Sequence, residues 1–301
     1  MSDDKATTVL VTGAAGHLGS CLVPMLVEDG FVVRGLDMQT PAAPLPEACT
    51  CSKADLSDRT ALRKALEGVG LIVHCAAIHP WKQYTDDQYL DANVKGTWHL
   101  YALAAEMGID RIVLTSSIAA IGYSDVPQEA CPIKEDAQFP LSDLYSYTKH
   151  TQETIARMYA GMGRIRTFAM RPPAFMPHDP RRTCIAMTGS FAVVSDIAAA
   201  HLAAARVMAG KQEPGEPVGP FEAFNAVNHL PYTAEDHRET GGDRKRLAEK
   251  YWPDACEWLA ANGHGLLGIA TSYDISKAER ILGWRPLFNF EEAYAALRGS
   301  G

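Results

Sequence analysis

Apolar and polar positions along this chain alternate between two periods. Residues 8–12 (TVLVT) form a short β-branched apolar run, the pattern of a buried strand. Gly13, Gly16 and Gly19 follow in G-x-x-G-x-x-G spacing, and from Leu18 to Leu26 the apolar residues recur at helical intervals. The alternation then repeats. FVVRGLD (31–37) predicts a second strand, CTCSKADL (49–56) a weaker third ending at Asp55, and ALRKALEGV (61–69) a helix. LIVHCAA (71–77) predicts the fourth strand, and a long helix follows over about 86–107. RIVLTSS (111–117) is the fifth, a helix with Tyr145 and Lys149 runs to about 159, and RTFAMRP (166–172) is a sixth strand closed by proline. A further helix starts near Asp196, and EAFNAVN (222–228) reads as another strand. Residues 231–270 read as irregular, with two glycine clusters and with Trp252 and Trp258, which suit a pocket cap and solvent-side packing equally. Pro-rich segments at 41–48 and 211–220 predict loops.

Strands alternating with helices predict an α/β fold, a Rossmann-type doubly wound parallel sheet with a smaller C-terminal substrate lobe. The dinucleotide-binding unit is placed at 1–172, with returning segments at about 191–210 and 222–228. Residues 173–301 are mainly the substrate lobe, which is discontinuous. In such sheets ligands bind outside the carboxyl ends of the strands. Gly13, Asp37, Asp55, Ala76, Ser117 and Pro172 all fall at predicted ends, so they can converge on one crevice.

Strand, glycine turn and helix in succession are what a pyrophosphate site requires. Glycine lets the backbone turn and approach the phosphates, and the helix N-terminus turns free N–H groups and a positive dipole end towards them. An ordinary strand-to-helix turn is the plain alternative. Asp37 lies near the ~20-residue offset of a ribose-binding acid. A carboxylate there accepts from the ribose hydroxyls and repels a 2′-phosphate. Met38 and Gln39 follow, with no arginine for that phosphate, so NAD is favoured over NADP.

Tyr145 and Lys149 are four residues apart, about one helical turn, in DLYSYTKHTQE. A free phenol has a pKa near ~10, too high for a base at neutral pH. An ammonium on the same helix face, and an oxidised nicotinamide beside it, would stabilise the phenolate and bring it towards the working range. Ser117 can donate to a substrate oxygen and hold it against Tyr145. Y-x-x-x-K alone is short enough to be a surface pair; the glycine turn and the strand ending in TSS give it its meaning.

These stretches together resemble the extended short-chain dehydrogenase/reductase superfamily, in its NAD-dependent epimerase/dehydratase branch. The matching segments are TGAAGHLG, Asp55-Leu56, HCAA (74–77), NVKGT (93–97), TSSIAAIG, YSYTK, MRPPAF and the late YDISKAERILGWRP (273–286), so the likeness covers nearly the whole chain. It implies Tyr145 as general acid/base, Lys149 on the nicotinamide ribose, Ser117 on the substrate, and Asn93 supporting the site from below. His17 and Leu18 would line the pyrophosphate turn, Asp55 and Leu56 the adenine, and Ala76, Ala77 and Pro172 the rest of the cofactor groove. By the same resemblance, the helices at about 86–107 and 144–160 imply a homodimer.

Departures from the family pattern narrow the reaction. Dehydratases of this branch carry Asp-Glu directly after the catalytic hydroxyl, whereas Ile118 and Ala119 stand here. Nucleotide-sugar epimerases usually show an asparagine soon after the sixth-strand arginine, whereas Arg171 is followed by Pro172, Pro173 and Ala174. The expectation is an NAD-dependent dehydrogenase acting on a small carbohydrate-like substrate, a sugar or sugar acid. A UDP-sugar 4-epimerase stays open, as does a non-catalytic NAD sensor, although sensors typically lose the tyrosine or lysine. By strand-end position His79, Trp81, Arg181 and Arg182 fall on the substrate side. Arg181 could receive a carboxylate or phosphate, with a solvated loop arginine as the alternative. His79 reads as a loop histidine rather than a base.

Composition adds boundaries. Apolar residues make up 47%, enough for a full core, and the formal charge of −8 argues against a nucleic-acid surface. The pattern shows neither a long apolar segment nor a signal peptide, so no membrane partner is expected. Seven cysteines without disulfide spacing predict the reducing cytoplasm, and no cluster has metal-ligand spacing.

Overall fold

The computed structural model describes residues 7–42, 44, 46, 49–80 and 83–299; Trp81 lies outside them. Seven strands form one sheet in the order β3-β2-β1-β4-β5-β6-β7, and every pairing is parallel. They are β1 (Thr8–Thr12), β2 (Val32–Asp37), β3 (Cys49–Lys53), β4 (Leu71–His74), β5 (Arg111–Thr115), β6 (Arg166–Arg171) and β7 (Phe221–Asn225). Parallel strands need crossovers, and helices supply them. The strand order reverses at β1, whose neighbours are β2 and β4, so the crevice opens between the carboxyl ends of β1 and β4.

The period-2 pattern sorts the core into two layers. Val9, Val11, Val33, Val73, Val113 and Phe168 face α1 (His17–Glu28) and α7 (Val194–Met208). Leu10, Leu36, Ile72, Ile112 and Leu114 face the opposite side. There α2 (Arg59–Leu66), α4 (Gly96–Glu106) and α5 (Leu144–Gly161) cover them. Both faces are covered, which is why the central strands β1, β4 and β5 are near-continuous apolar runs rather than alternating.

β1 and β2 end where the sequence runs end, whereas β3 to β7 stop one to three residues before theirs. Some pairing continues past the regular ladder: Cys75 N donates to Thr12 O, and Ser116 N to Met170 O. The predicted 86–107 helix is three segments. These are α3 (Asp86–Tyr89), a π-helical turn at Leu90–Lys95, and α4. A wider turn leaves the apolar spacing nearly unchanged, so periodicity does not show it.

The stretch read as irregular, 231–270, instead holds α8 (Ala234–Thr240), α9 (Arg244–Tyr251) and α10 (Pro253–Ala261). Short helices with strong caps explain them. Thr233 and Asp236 form a capping box, Asp243 caps α9, and Pro253 opens α10. Trp252 stacks on Phe290 with ring centroids 4.3 Å apart, and both tryptophans pack on a cluster of Cys184, Met187, Phe191, Ala255 and Leu259. They are packing residues of this part of the chain. Beyond α6 (Pro180–Ala186) and these helices, α11 (Ser276–Leu282) and α12 (Phe290–Gly299) complete the chain.

Candidate active site

The glycine turn joins β1 to α1. Gly13 has φ +72, and a Cβ there would sit 2.7 Å from Ala76 N, so only glycine lets the loops after β1 and β4 close up. A Cβ on Gly19 would lie 2.2 Å from Gly13 O. Between them, Gly16 caps α1 with no side-chain partner for the first helical N–H groups. The helix N-terminus is therefore free of a side-chain cap, the arrangement an anion requires. His17 lies at the start of α1 and stacks on Phe175 across the groove, centroids 6.0 Å apart; Leu18 is buried beneath.

Asp37 ends β2 and turns its carboxylate to this loop. Its Oδ2 accepts from Ala15 N and its Oδ1 from Gln39 N, each at 2.9 Å. Those bonds fix the carboxylate beside the glycine turn, and each oxygen keeps acceptor capacity for a hydroxyl. Asp55 accepts from Ser57 N at 2.7 Å, and Leu56 is buried just past β3.

Lys149 and Tyr145 lie on α5. That helix is started by Asp143, whose carboxylate accepts from Ser146 N and Ser146 Oγ and from the Tyr123 hydroxyl. Lys149 is fully buried, and its ammonium donates to Thr115 O at 2.8 Å, at the end of β5. Burial pushes its pKa down to about 8, against the pull of Cys75 and Glu153. The ammonium lies 5.9 Å from the Tyr145 ring centroid. It has three hydrogens and one described acceptor, which leaves donors for a further partner.

For Tyr145 itself, the sequence expectation that lysine draws the phenol towards neutrality is not met by the protein alone. Burial dominates and raises the phenol's pKa, while the Ser117 hydroxyl lowers it by less. Ser117 follows β5, is buried, and accepts from Ala119 N at 3.1 Å; its hydroxyl faces Pro172 O at 3.5 Å. Ala119 and Ala120 are buried in a 3-10 turn, so no carboxylate stands after Ser117.

His79 meets the phenol. Its Nδ1 is 3.1 Å from the Tyr145 hydroxyl, and the rings are 5.5 Å apart. Asn93, fully buried in the π-helical turn, holds the loop that carries it. Its Oδ1 accepts from Ile78 N at 2.8 Å, and its Nδ2 donates to Ile78 O at 3.0 Å and to Thr148 Oγ1 at 3.1 Å. Asn93 thus ties the loop after β4 to the helix of Tyr145.

Ser117, Tyr145, Lys149, Asn93, Ala76, Ala77, Pro172 and His79 are all on loops or helix turns at this one end of the sheet. Arg181 and Arg182 are not joined to them. Both are exposed on the first turn of α6, where Asp179 caps the helix and pairs with Arg182, and among the described residues no hydrogen bond or ion pair links either to Ser117, Tyr145 or His79.

Two groups escape a linear reading. Glu153, one turn beyond Lys149, is buried and takes a bidentate pair from Arg171 at 2.8 and 2.7 Å, with Ser116 Oγ at 2.6 Å. His74 accepts from Thr12 Oγ1 and donates from Nε2 to Thr97 Oγ1, whose own hydrogen goes to Asn93 O. That order fixes the neutral tautomer, and burial first, then Lys149, pushes the His74 pKa down to about 3. The spacing Y-x-x-x-K-x-x-x-E was the visible signal for Glu153; nothing in the sequence signals the Thr12–His74–Thr97 chain.

Residues 9–184, more than half of the chain, match the model of the NAD dependent epimerase/dehydratase family. The chain belongs to that family. Sterol demethylase protein B of Methylococcus capsulatus is 41% identical over 125 residues, 41% of this chain and 38% of that protein. A uronate dehydrogenase of Pseudomonas putida is 31% identical over 183 residues, 59% of this chain and 64% of that protein. In both cases the match spans less than two thirds of the relative. A solved mutant of the uronate dehydrogenase of Agrobacterium tumefaciens, complexed with NAD, superposes with TM-score 0.68 at 23% identity, over 98% of this chain and 90% of that one. This likeness is one of fold. The glycine cradle and the placed Asp37 fit the dinucleotide of the family's description.

Proposed function

We propose that this protein is an NAD-dependent oxidoreductase acting at a secondary alcohol or ketone of a small sugar-like or sugar-acid substrate. One observation carries the reading: Tyr145 and Ser117 face each other beside buried Lys149, at the sheet end that holds the bare glycine turn. Gly13, Gly16, His17, Leu18 and Gly19 would hold the pyrophosphate, Asp37 a ribose, and Asp55 and Leu56 the adenine. Ala76, Ala77 and Pro172 would flank the nicotinamide end. Bound NAD supplies the hydride acceptor or donor. Ser117 then holds the substrate oxygen by donating to it, and Tyr145 exchanges that oxygen's proton. Lys149 gives its spare hydrogens to the nicotinamide ribose, and its charge favours the phenolate. His79 and Arg181 belong to the substrate side in this reading.

Support for a dehydrogenase comes from the apolar Ile118 and Ala119, which leave no second acid for elimination, and from the uronate dehydrogenase relative. Residues 1–172 with α7 and β7 serve the cofactor in this reading, and the remainder closes the substrate side. The seven free thiols fit the cytoplasm.

A screen following reduced nicotinamide tests the proposal, with free sugars, uronic acids, hydroxysteroids and UDP-sugars in parallel. Steady accumulation with a free sugar or sugar acid supports it. Interconversion of UDP-sugars without net absorbance change establishes an epimerase instead. Turnover of hydroxysteroids alone moves the substrate class. Tyr145→Phe should keep cofactor binding and lose about 10²–10⁴ in turnover, the range for acid/base catalysis; near-normal turnover refutes the mechanism.

A further inference from the structure

We propose that His79 is the proton-accepting partner of Tyr145: a neutral imidazole that positions the phenol and carries its proton out of the site. The inference rests on the reading of Tyr145 as acid/base. Geometry supports it first. The Nδ1 to hydroxyl distance of 3.1 Å is within hydrogen-bond reach, and the tilted rings keep that nitrogen in the phenol's neighbourhood. The contact is built rather than incidental. Both backbone groups of Ile78, the residue before His79, are clamped by buried Asn93, and Asn93 also bonds Thr148 on the helix of Tyr145. A freely moving loop histidine would need no such anchor.

Electrostatics sets its protonation. Burial, with the Lys149 charge behind it, pushes the His79 pKa down to about 3. The ring is therefore neutral throughout the working range, with one nitrogen holding a lone pair. The titratable and charged groups around the pair are Lys149 on the same helix as Tyr145, Asp143 at its cap, Tyr89 on α3, and Tyr123. Lys149 already donates to Thr115 O and cannot accept a proton while charged. Ser117 receives Ala119 N and faces Pro172 O. His79 offers the phenol oxygen a neutral nitrogen acceptor at 3.1 Å.

In alcohol oxidation the substrate O–H bond breaks and a new O–H bond forms at Tyr145. The original Tyr145 O–H bond breaks, its proton going to Nδ1 of His79, and the Nε2–H proton leaves to water. One proton enters the chain and one leaves; no charge accumulates on the ring. Exchange with water restores the starting tautomer. In ketone reduction the same bonds run in reverse. The hydride half of the reaction belongs to the dinucleotide and is unaffected.

The first test needs neither substrate nor cofactor. In protein labelled with ¹⁵N-histidine, His79 should stay neutral from pH 5 to 9 (about 4 pH units around the ordinary His pKa), with the proton on Nε2. Tyr145→Phe should shift the Nδ1 resonance. A ring that titrates near the ordinary value, or that carries its proton on Nδ1, overturns the proposal whatever the substrate is. The second test uses the holoenzyme. His79→Asn can keep a hydrogen bond to the phenol but cannot relay a proton. Its kcat should fall about tenfold, less than loss of the acid/base itself, with KM near normal. The solvent isotope effect on kcat should rise, and added imidazole should restore rate to His79→Ala. Unchanged kcat and isotope effect in His79→Asn defeat the relay while leaving the role of Tyr145 standing. A fully active Tyr145→Phe enzyme would instead remove the reading on which the relay rests.

Discussion

At the scale of single residues, the site works by placing charge where water cannot relieve it. Lys149 shows the cost. Its folded pKa, about 8, lies below the ordinary lysine value of ~10.4. Below pH 8 the folded and unfolded chains both carry the proton, so the fold bears the full cost of a buried ammonium. Between about 8 and 10 the folded chain releases it first, and stability rises. Lys149→Met should therefore raise the unfolding free energy of the cofactor-free protein at pH 7 by about 1–2 kcal/mol, the loss of the Thr115 bond offsetting part of the gain. The gain should shrink as pH climbs towards 10, and NAD affinity should fall. Denaturant titration at pH 7 and 10 checks the first part and calorimetric NAD titration the second. A variant less stable at pH 7 sinks the electrostatic account. Asp37 is held beside the glycine turn by its two backbone donors. Asp37→Ala should weaken NAD binding while NADP binding improves relative to it, because both the hydroxyl acceptor and the repulsive charge are gone. Calorimetry with both dinucleotides decides this; a preference for NAD unchanged in the variant removes Asp37 from the ribose.

Elements turn these residues into a site, and they were legible to different degrees. β1, the glycine turn and α1 announce themselves because period, glycine spacing and order agree in a continuous stretch. Tyr145 and Lys149 were equally visible, since a helix turn fixes their relation without any tertiary knowledge. The π-helical turn was not, because it barely changes the apolar spacing. Its effect is tertiary: it seats Asn93 against Ile78 and Thr148. Nor could sequence give His79 its partner, 66 residues away. Residues 231–270 misled because three short helices with little apolar period look like loop, and their cohesion comes from Trp252 against Phe290. The Glu153–Arg171 pair adds a buried polar link between α5 and β6 to their apolar contact. Burial pushes the Glu153 carboxyl up, but the hydrogen bonds and charge of Arg171 outweigh it and hold the pKa below the ordinary range. This stabilisation is complete above the unfolded value near ~4.3 and is lost as pH falls through the lower folded value. Glu153→Gln should cost about 3–5 kcal/mol at pH 7, as for a buried pair broken on one side, and should flatten this part of the acid unfolding limb. Unfolding midpoints between pH 7 and 3 measure it; an acid limb identical to that of the parent protein would assign acid sensitivity to other carboxylates.

For the whole molecule, the question left by a complete sheet is what covers the outer surface of the helices beside the site. α4 and α5 bury one face against β4 and β5, yet Trp98 on α4 is 44% exposed and Tyr147 on α5 is 50% exposed. Leu90, in the π-helical turn, adds 39%. Large apolar side chains scattered singly on a surface need no explanation, but three on adjoining helices make a surface suited to a partner. A second copy of the chain is the partner proposed here, the two helices pairing with their symmetry mates across a two-fold axis. Such packing would also bear on catalysis, because α5 carries Tyr145 and Lys149 and the turn preceding α4 carries Asn93. Rigid support on the outer face of both helices limits how far the phenol can drift from His79 and Ser117. The expected result is a dimer by sedimentation for the parent protein. Trp98→Glu should give a monomer, because burying two unpaired carboxylates about a two-fold axis is strongly unfavourable. The monomer should keep its NAD-binding turn, which is remote in sequence, while losing turnover through the loosened α5. A parent protein that sediments as a monomer refutes the interface. A Trp98→Glu protein that remains dimeric moves it to another face, and a fully active monomer would show that the site needs no support from a second chain.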